Sequence, residues 1–207
     1  MNLKKITLSL LAGVVGAQMS GQLLSEDFAT GIPSTWTLIN NDALTPAANV
    51  SYVNDAWVST NGSGAQAGYA ISTSWYTPAG QADDWLITPA LSIPTGSDYY
   101  LVWDAAAPDA SYPDGYNVKV STTGTSVTDF TTTLLSVPAE NSSWTTRYVD
   151  LSGFAGQTIN LAFQNNSNDM FLLFVDNIVV DTYSGNDVSA INHNVNSIIK
   201  TGQSTTI

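Results

Sequence analysis

Carboxylates are the one reactive group this chain holds in quantity: it has 17 Asp and Glu, a single histidine and no cysteine. Without thiols there is no cysteine nucleophile, no disulfide and no thiolate zinc site. His193 sits in a polar C-terminal stretch, whereas a Ser-His-Asp triad needs its imidazole inside a packed site. Zinc, which favours His and Cys ligands, is equally unsupported. Two adjacent acidic pairs remain, Glu26-Asp27 and Asp83-Asp84. Glycoside hydrolysis needs two carboxyls facing each other about 5–10 Å apart. Neighbours on a strand point to opposite faces, so neither pair forms such a site by itself. Calcium suits the composition better, since it takes roughly six to eight oxygens from carboxylates, amides and backbone carbonyls. No EF-hand loop is present, so a site would be assembled from separate segments. The candidate ligands are Glu26 or Asp27, Asp42 in the loop NNDA, and Asp176.

Asp176 raises a question of its own. It stands with Asn177 in the middle of FLLFVDNIVV, an otherwise apolar run that reads as a buried strand. A buried charge must be paired, hydrogen-bonded or metal-bound. Two readings are open. Either Asp176 faces an ion that ties the first strand to the last, or Asp176 and Asn177 cap backbone groups where the strand passes a loop.

Aromatic residues are the other resource. Trp36, Trp85, Trp103 and Trp144 lie in strand-like contexts and are expected in the core. Trp75 and Tyr76, in STSWYTPAG, lie beside Pro and Gly in a loop, and Tyr112 and Tyr116 flank the loop PDASYPDGY. A flat aromatic on a loop gives large contact area at low entropy cost. These four are the expected contacts to a glycan or a host or matrix protein.

The elements that must position these residues are strands. Short β-rich runs alternate with clusters of Gly, Pro, Asn, Asp and Ser. The runs fall at 22–28, 36–39, 50–58, 67–72, 85–93, 99–106, 116–122, 132–137, 145–151, 158–164 and 171–181. In YNVKVS, Tyr116, Val118 and Val120 face one way while Asn117, Lys119 and Ser121 face the other. The spacing suggests a two-sheet sandwich. Residues 1–17 read as a secretory signal peptide: Lys4 and Lys5 precede a short apolar run that ends in Val15-Gly16-Ala17. The run is too short to span a membrane. Residues 18–181 form the expected domain. Residues 182–207 read as a linker or an incomplete C-terminal segment, since their apolar clusters are too few for a second domain.

Charge narrows the partners. Charged residues are 11% of the chain, against about 25% in an average protein. Past the leader, Lys119, Arg147 and Lys200 face all 17 carboxylates. Such a chain repels nucleic acid and anionic membranes and is compatible with cations.

Several blocks occur in a recognisable order: EDF…GIPSTW at 26–36, ADDWLITPALSI at 82–93, YYLVWDAAA at 99–107, GYNVKVSTTG at 115–124, and LSGFAGQTINLAFQNNSNDMFLLFVDNIVV at 151–180. Together they resemble the cleaved-adhesin, or choice-of-anchor J, family of Bacteroidetes surface proteins, including the adhesin domains that accompany gingipain-type proteases. The resemblance covers residues 22–181. It implies a jelly-roll β-sandwich of two antiparallel sheets, often calcium-bound, that acts as a secreted or cell-surface adhesion or carbohydrate-binding-like module without catalysis. It places calcium at Glu26 or Asp27 and at Asp176. The chain departs from the pattern at Ala29, where an acid is common, and at Gln164-Asn165, where a base is common. The rival expectations are a structural spacer in a larger surface protein, and a glycosidase or protease-accessory domain.

Overall fold

The computed structural model describes residues 21–59 and 68–182. Eleven strands run in chain order: β1 (Leu24–Glu26), β2 (Thr37–Asn40), β3 (Ala70–Thr73), β4 (Asp84–Ile87), β5 (Leu91–Ser92), β6 (Tyr99–Ala106), β7 (Tyr116–Ser121), β8 (Thr132–Val137), β9 (Thr145–Asp150), β10 (Thr158–Asn165) and β11 (Leu172–Thr182). One sheet has the order β1-β11-β6-β9, with β3 pairing β11 further along the edge that β1 occupies. The other has the order β2-β4-β10-β7-β8, with β5 continuing the edge of β10 beyond β4. All pairings are antiparallel, and the chain passes back and forth between the sheets. The result is a jelly-roll β-sandwich.

Alternation explains the inner faces. In β7, Tyr116, Val118 and Val120 are buried while Asn117 and Lys119 are half-buried. They meet Leu101, Trp103 and Ala105 of β6 and Phe163 of β10 in the main core. Trp103 and Phe163 pack edge-to-face with centroids 5.4 Å apart. β6 is buried along nearly its whole length, Asp104 included, and so shows no alternation of buried and exposed residues. Val50, Val53, Ile71 and Leu172 form a second cluster, joined by Tyr69, Trp75 and Phe174.

The segment expected as a strand at 50–58 is a correction. It is a 3-10 turn, Ala48–Val50, followed by irregular chain. Its buried residues are Val50, Val53, Ala56 and Trp57, and Val50 N and Val53 N donate to the carbonyls three residues back. That bonding suits successive tight turns rather than a pleat. Only Val58 bridges to Ile71 as a strand would. The run expected at 85–93 is cut into β4 and β5 around Pro89, which has no N–H to give the ladder.

Asp176 and Asn177 mark a β-bulge in β11. Between Asp176 and Val179 the register against β6 slips, and Asn177 has φ 49°. The extra residue resets the alternation, so that Val175, Ile178 and Val180 are all buried. Asp176 is half-buried and Asn177 is exposed; neither lies in the core.

Trp36, Trp85 and Trp103 are buried as expected. Trp144 is not: it is 47% exposed and leans on Tyr69 and Phe174, with centroids 5.5 and 6.2 Å away. It precedes β9 rather than lying within it, so no alternation turns it inward.

Candidate binding cleft and acidic clusters

A cleft of about 530 Å³ opens at one end of the sandwich, lined by Trp75, Asp109, Tyr112, Asp169, Met170 and Phe171. Three connections build it. Trp75 follows the end of β3, Asp109 and Tyr112 lie between β6 and β7, and Asp169 to Phe171 lie between β10 and β11. Phe171 packs against Trp75 edge-to-face at 5.8 Å. Tyr112 is 56% exposed.

The floor beneath the cleft is polar and closed. Ser74 Oγ donates to Asp114 Oδ1 at 2.5 Å and accepts from Met170 N at 3.1 Å. Asn165 Nδ2 donates to Asp114 Oδ2 at 3.3 Å and to Ser72 Oγ at 3.2 Å. Thr73 Oγ1 donates to the Phe171 carbonyl at 2.6 Å and accepts from Trp75 N at 3.1 Å. Ser167 Oγ accepts from Gly115 N at 2.6 Å and donates to Gly115 O at 3.0 Å. Gly115 is required here, since a Cβ would stand 2.4 Å from the carbonyls of Val137 and Pro138. Asp114 is fully buried. Burial pushes its carboxyl up to about 6, against the opposing pull of its donors Ser74, Asn165 and Ser167. These bonds hold three otherwise independent loops in one arrangement, so the cleft is preformed.

Of the four expected contact residues, the structure brings Trp75 and Tyr112 together. Tyr76 and Tyr116 are corrections. Tyr76 is 3% exposed; it points away from its neighbour Trp75, and its hydroxyl donates to Asp84 Oδ2 at 2.6 Å. Tyr116 opens β7 on the inward face. Its hydroxyl accepts from Trp103 Nε1 at 2.9 Å and donates to Glu140 Oε2 at 3.0 Å. Glu140 is itself held by Arg147, whose Nη2 lies 2.6 Å from Oε1. Asp169 and Met170 were not visible as site residues in the sequence, because the turn QNNSNDM carries no local sign of what it faces.

The four expected metal ligands do not form one set. Asp42 lies with Asp83, Asp84 and Tyr76: its Oδ2 accepts from Asp83 N at 2.6 Å and its Oδ1 from Leu44 N at 2.7 Å. It is therefore removed from the group. Glu26 and Asp27 lie on or beside β1, which pairs with β11 through Glu26↔Ile178. Each has an oxygen engaged by backbone, Glu26 Oε1 by Phe28 N at 2.8 Å and Asp27 Oδ1 by Ala29 N at 3.0 Å. Asp176 Oδ1 accepts from Asn177 N at 2.7 Å, and Asn177 Nδ2 donates to Asp104 Oδ2 at 2.9 Å. The backbone-capping arrangement is thus present. Burial raises the Asp176 carboxyl to about 6, and the charges of Asp104, Asp27 and Glu26 add to the effect. Among the described residues no three acidic or histidine side chains converge into a metal cage.

The Asp83-Asp84 pair splits across its strand as expected. Asp83 accepts from Trp85 Nε1 at 2.6 Å, Gln164 Nε2 at 2.7 Å and Asn41 Nδ2 at 2.6 Å. Asp84 is 2% exposed, and its Oδ1 has no hydrogen-bond partner. Burial raises its carboxyl to about 8, the Tyr76 bond offsetting part and the charges of Asp42, Asp83 and Asp55 adding more. Its charged form is thereby disfavoured. His193 lies outside the described residues. Among the described residues no helix is long and apolar enough to cross a membrane.

Comparison with known proteins agrees with this architecture. Haemagglutinin A of Porphyromonas gingivalis is 28% identical over 184 residues, covering 76% of this chain. Gingipain R1 of the same species is 30% identical over 181 residues, also covering 76%. The chain spans only 7% and 10% of the lengths of these two relatives. Among solved structures, the K1 adhesin domain of Lys-gingipain is 26% identical with a TM-score of 0.55, covering 78% of this chain and 98% of that domain. The K3 domain is 27% identical with a TM-score of 0.57, covering 77% and 96%. The Cleaved Adhesin Domain family matches residues 22–180, and the chain belongs to it.

Proposed function

We propose that the chain is a non-catalytic adhesion module that takes its ligand in the cleft between Trp75 and Tyr112. The observation that carries this reading is the convergence of these two aromatics, 37 residues apart in sequence, on one preformed opening. Membership of an adhesin family and kinship with a protein named for haemagglutination support it. The ligand is a glycan or a protein of a surface or matrix, and the module works outside the cell or on its surface. The adjacent acidic pair is otherwise engaged: Asp83 accepts from three donors, and Asp84 is buried in the interior.

Calcium enters the proposal as a stabiliser only. Asp176 lies near the charges of Asp104, Asp27 and Glu26, and a divalent cation there would relieve that repulsion. It would draw its remaining ligands from backbone carbonyls and water.

An array of glycans and matrix proteins probed with residues 18–207 tests the function. Selective binding that is lost in Trp75→Ala and Tyr112→Ala is expected. A blank array from folded protein would move the chain to the role of a spacer.

A further inference from the structure

We propose that the cleft selects a long cationic side chain, a lysine or arginine presented by a partner protein. The inference rests on the cleft being the binding site. It comes from how the lining is composed. The body of the cleft is apolar, from Trp75, Met170 and Phe171, with Tyr112 beside them; its charged members are two carboxylates, Asp109 and Asp169. Neither is neutralised from within the cleft, because no lysine or arginine lines it. The cations among the described residues are placed elsewhere: Arg147 is bound to Glu140, and Lys119 lies over the Trp85 ring at 5.8 Å.

Lysine and arginine have the matching division, an apolar stem and a cationic head. The stem would lie along Phe171 and Met170, and the head would meet carboxylate oxygen and aromatic face. Tryptophan and tyrosine faces attract such heads. A neutral sugar could use the aromatic faces and the carboxylate oxygens, but only a cation would also gain from the two negative charges of the lining. An acidic ligand would meet repulsion from both carboxylates, inside a domain whose acids far outnumber its bases.

The two carboxylates can be neutralised without disturbing the fold. Asp109 Oδ1 accepts from Ser111 N at 2.8 Å, a bond that an asparagine oxygen would keep. Asp169 has φ 53°, a conformation that asparagine adopts readily. Asp109→Asn and Asp169→Asn therefore remove charge while retaining shape.

The test titrates residues 18–207 with acetyl-lysine amide, acetyl-arginine amide and their uncharged counterparts, acetyl-norleucine amide and acetyl-citrulline amide. Binding is followed by NMR shifts of the Trp75 indole and by calorimetry. The cationic probes are expected to bind at least about tenfold more tightly than the neutral ones, with an advantage that shrinks as salt rises. The double variant Asp109→Asn, Asp169→Asn is expected to erase the difference with an unchanged Tm. Equal binding of norleucine and lysine amides would overturn the inference. Trp75-dependent binding of a neutral glycan, with no response to the cationic probes, would overturn it while leaving the adhesion reading intact. No Trp75 response to any peptide or glycan would sink both.

Discussion

Ser74 Oγ stands 2.5 Å from Asp114 Oδ1, so that the residue next to Trp75 is bonded to the connection that carries Tyr112. Two loops that meet only in space are thereby fixed to each other at a buried point. The bond belongs to a network in which Asn165 and Met170 also take part. Its value to the cleft is geometric: recognition side chains held by a rigid floor lose little freedom on binding.

Removing the hydroxyl tests that role. Ser74→Ala leaves the buried Asp114 short of a donor and Met170 N without an acceptor. A loss of about 1–3 kcal/mol in unfolding free energy is expected. Ligand affinity should fall as well, although Ser74 does not line the cleft. Denaturant unfolding and the binding assay, run together, check both; a variant that loses stability but keeps full affinity would show that the floor does not position the cleft.

Two tyrosines in neighbouring positions should behave in opposite ways. Tyr112→Ala removes an exposed ring and is expected to weaken binding while moving stability by less than about 0.5 kcal/mol. Tyr116→Phe strips the hydroxyl that joins Trp103 to Glu140. It is expected to cost about 1–3 kcal/mol and to leave cleft binding unchanged. Thermal melts and binding curves of the pair separate contact from core.

The contrast between these tyrosines also shows what the sequence could reveal. Tyr116 shares a strand face with Val118 and Val120, and period-two alternation was enough to place it inside. That pattern outweighs its position beside the loop PDASYPDGY, which by itself suggests a contact residue. Strands at 99–106 and 132–137 fall where the structure has them, because long β-branched and aromatic runs leave little ambiguity. The segment 50–58 does not, because its tight turns are set by backbone bonds to carbonyls three residues back, which its run of apolar residues does not distinguish from a strand. Trp75 and Tyr112 were legible as loop aromatics. Their meeting was not, since it depends on Ser74 and Asp114, which are 40 residues apart. The bulge at Asp176-Asn177 was legible as an anomaly and became intelligible only with the register against β6.

That bulge yields a backbone prediction. Asn177 occupies the left-handed region at φ 49°. Both Asn177→Gly and Asn177→Val lose the bond to Asp104 Oδ2, and Asn177→Val is expected to cost about 1–2 kcal/mol more than Asn177→Gly, since a β-branched residue is strained there. Equal stability of the two variants would mean that the bulge can be ironed out or moved.

The same strand carries the calcium test. Chelator is expected to lower the Tm of the wild-type domain, and Asp176→Ala is expected to abolish that response. Asp42→Ala should leave the response intact, because Asp42 is engaged with Asp83 rather than with β11. A wild-type melt that ignores chelator would remove calcium from the proposal.

The buried acids predict an unusual dependence of stability on pH. Asp84 is held up at about 8 and Asp114 at about 6, in both cases by burial first, against about 3.9 in an unfolded chain. Between those values the folded state binds more protons than the unfolded state. Stability must then fall as pH rises through that range, since the slope follows the difference in bound protons, unfolded minus folded. Asp114 and Asp176 contribute to the fall between about pH 4 and 6, and Asp84 contributes from about pH 4 to about pH 8. Each unit of pKa difference is worth about 1.4 kcal/mol, so Asp84 contributes the largest share of the fall. The domain is therefore expected to be more stable at pH 5 than at pH 8.5. Asp84→Asn keeps an acceptor for the Tyr76 hydroxyl and should flatten the curve above pH 6.5, leaving the lower limb to Asp114 and Asp176. Urea unfolding across this range decides it; a stability that climbs from pH 5 to 8.5 would show that Asp84 is ionised in the folded protein and has found a partner for Oδ1.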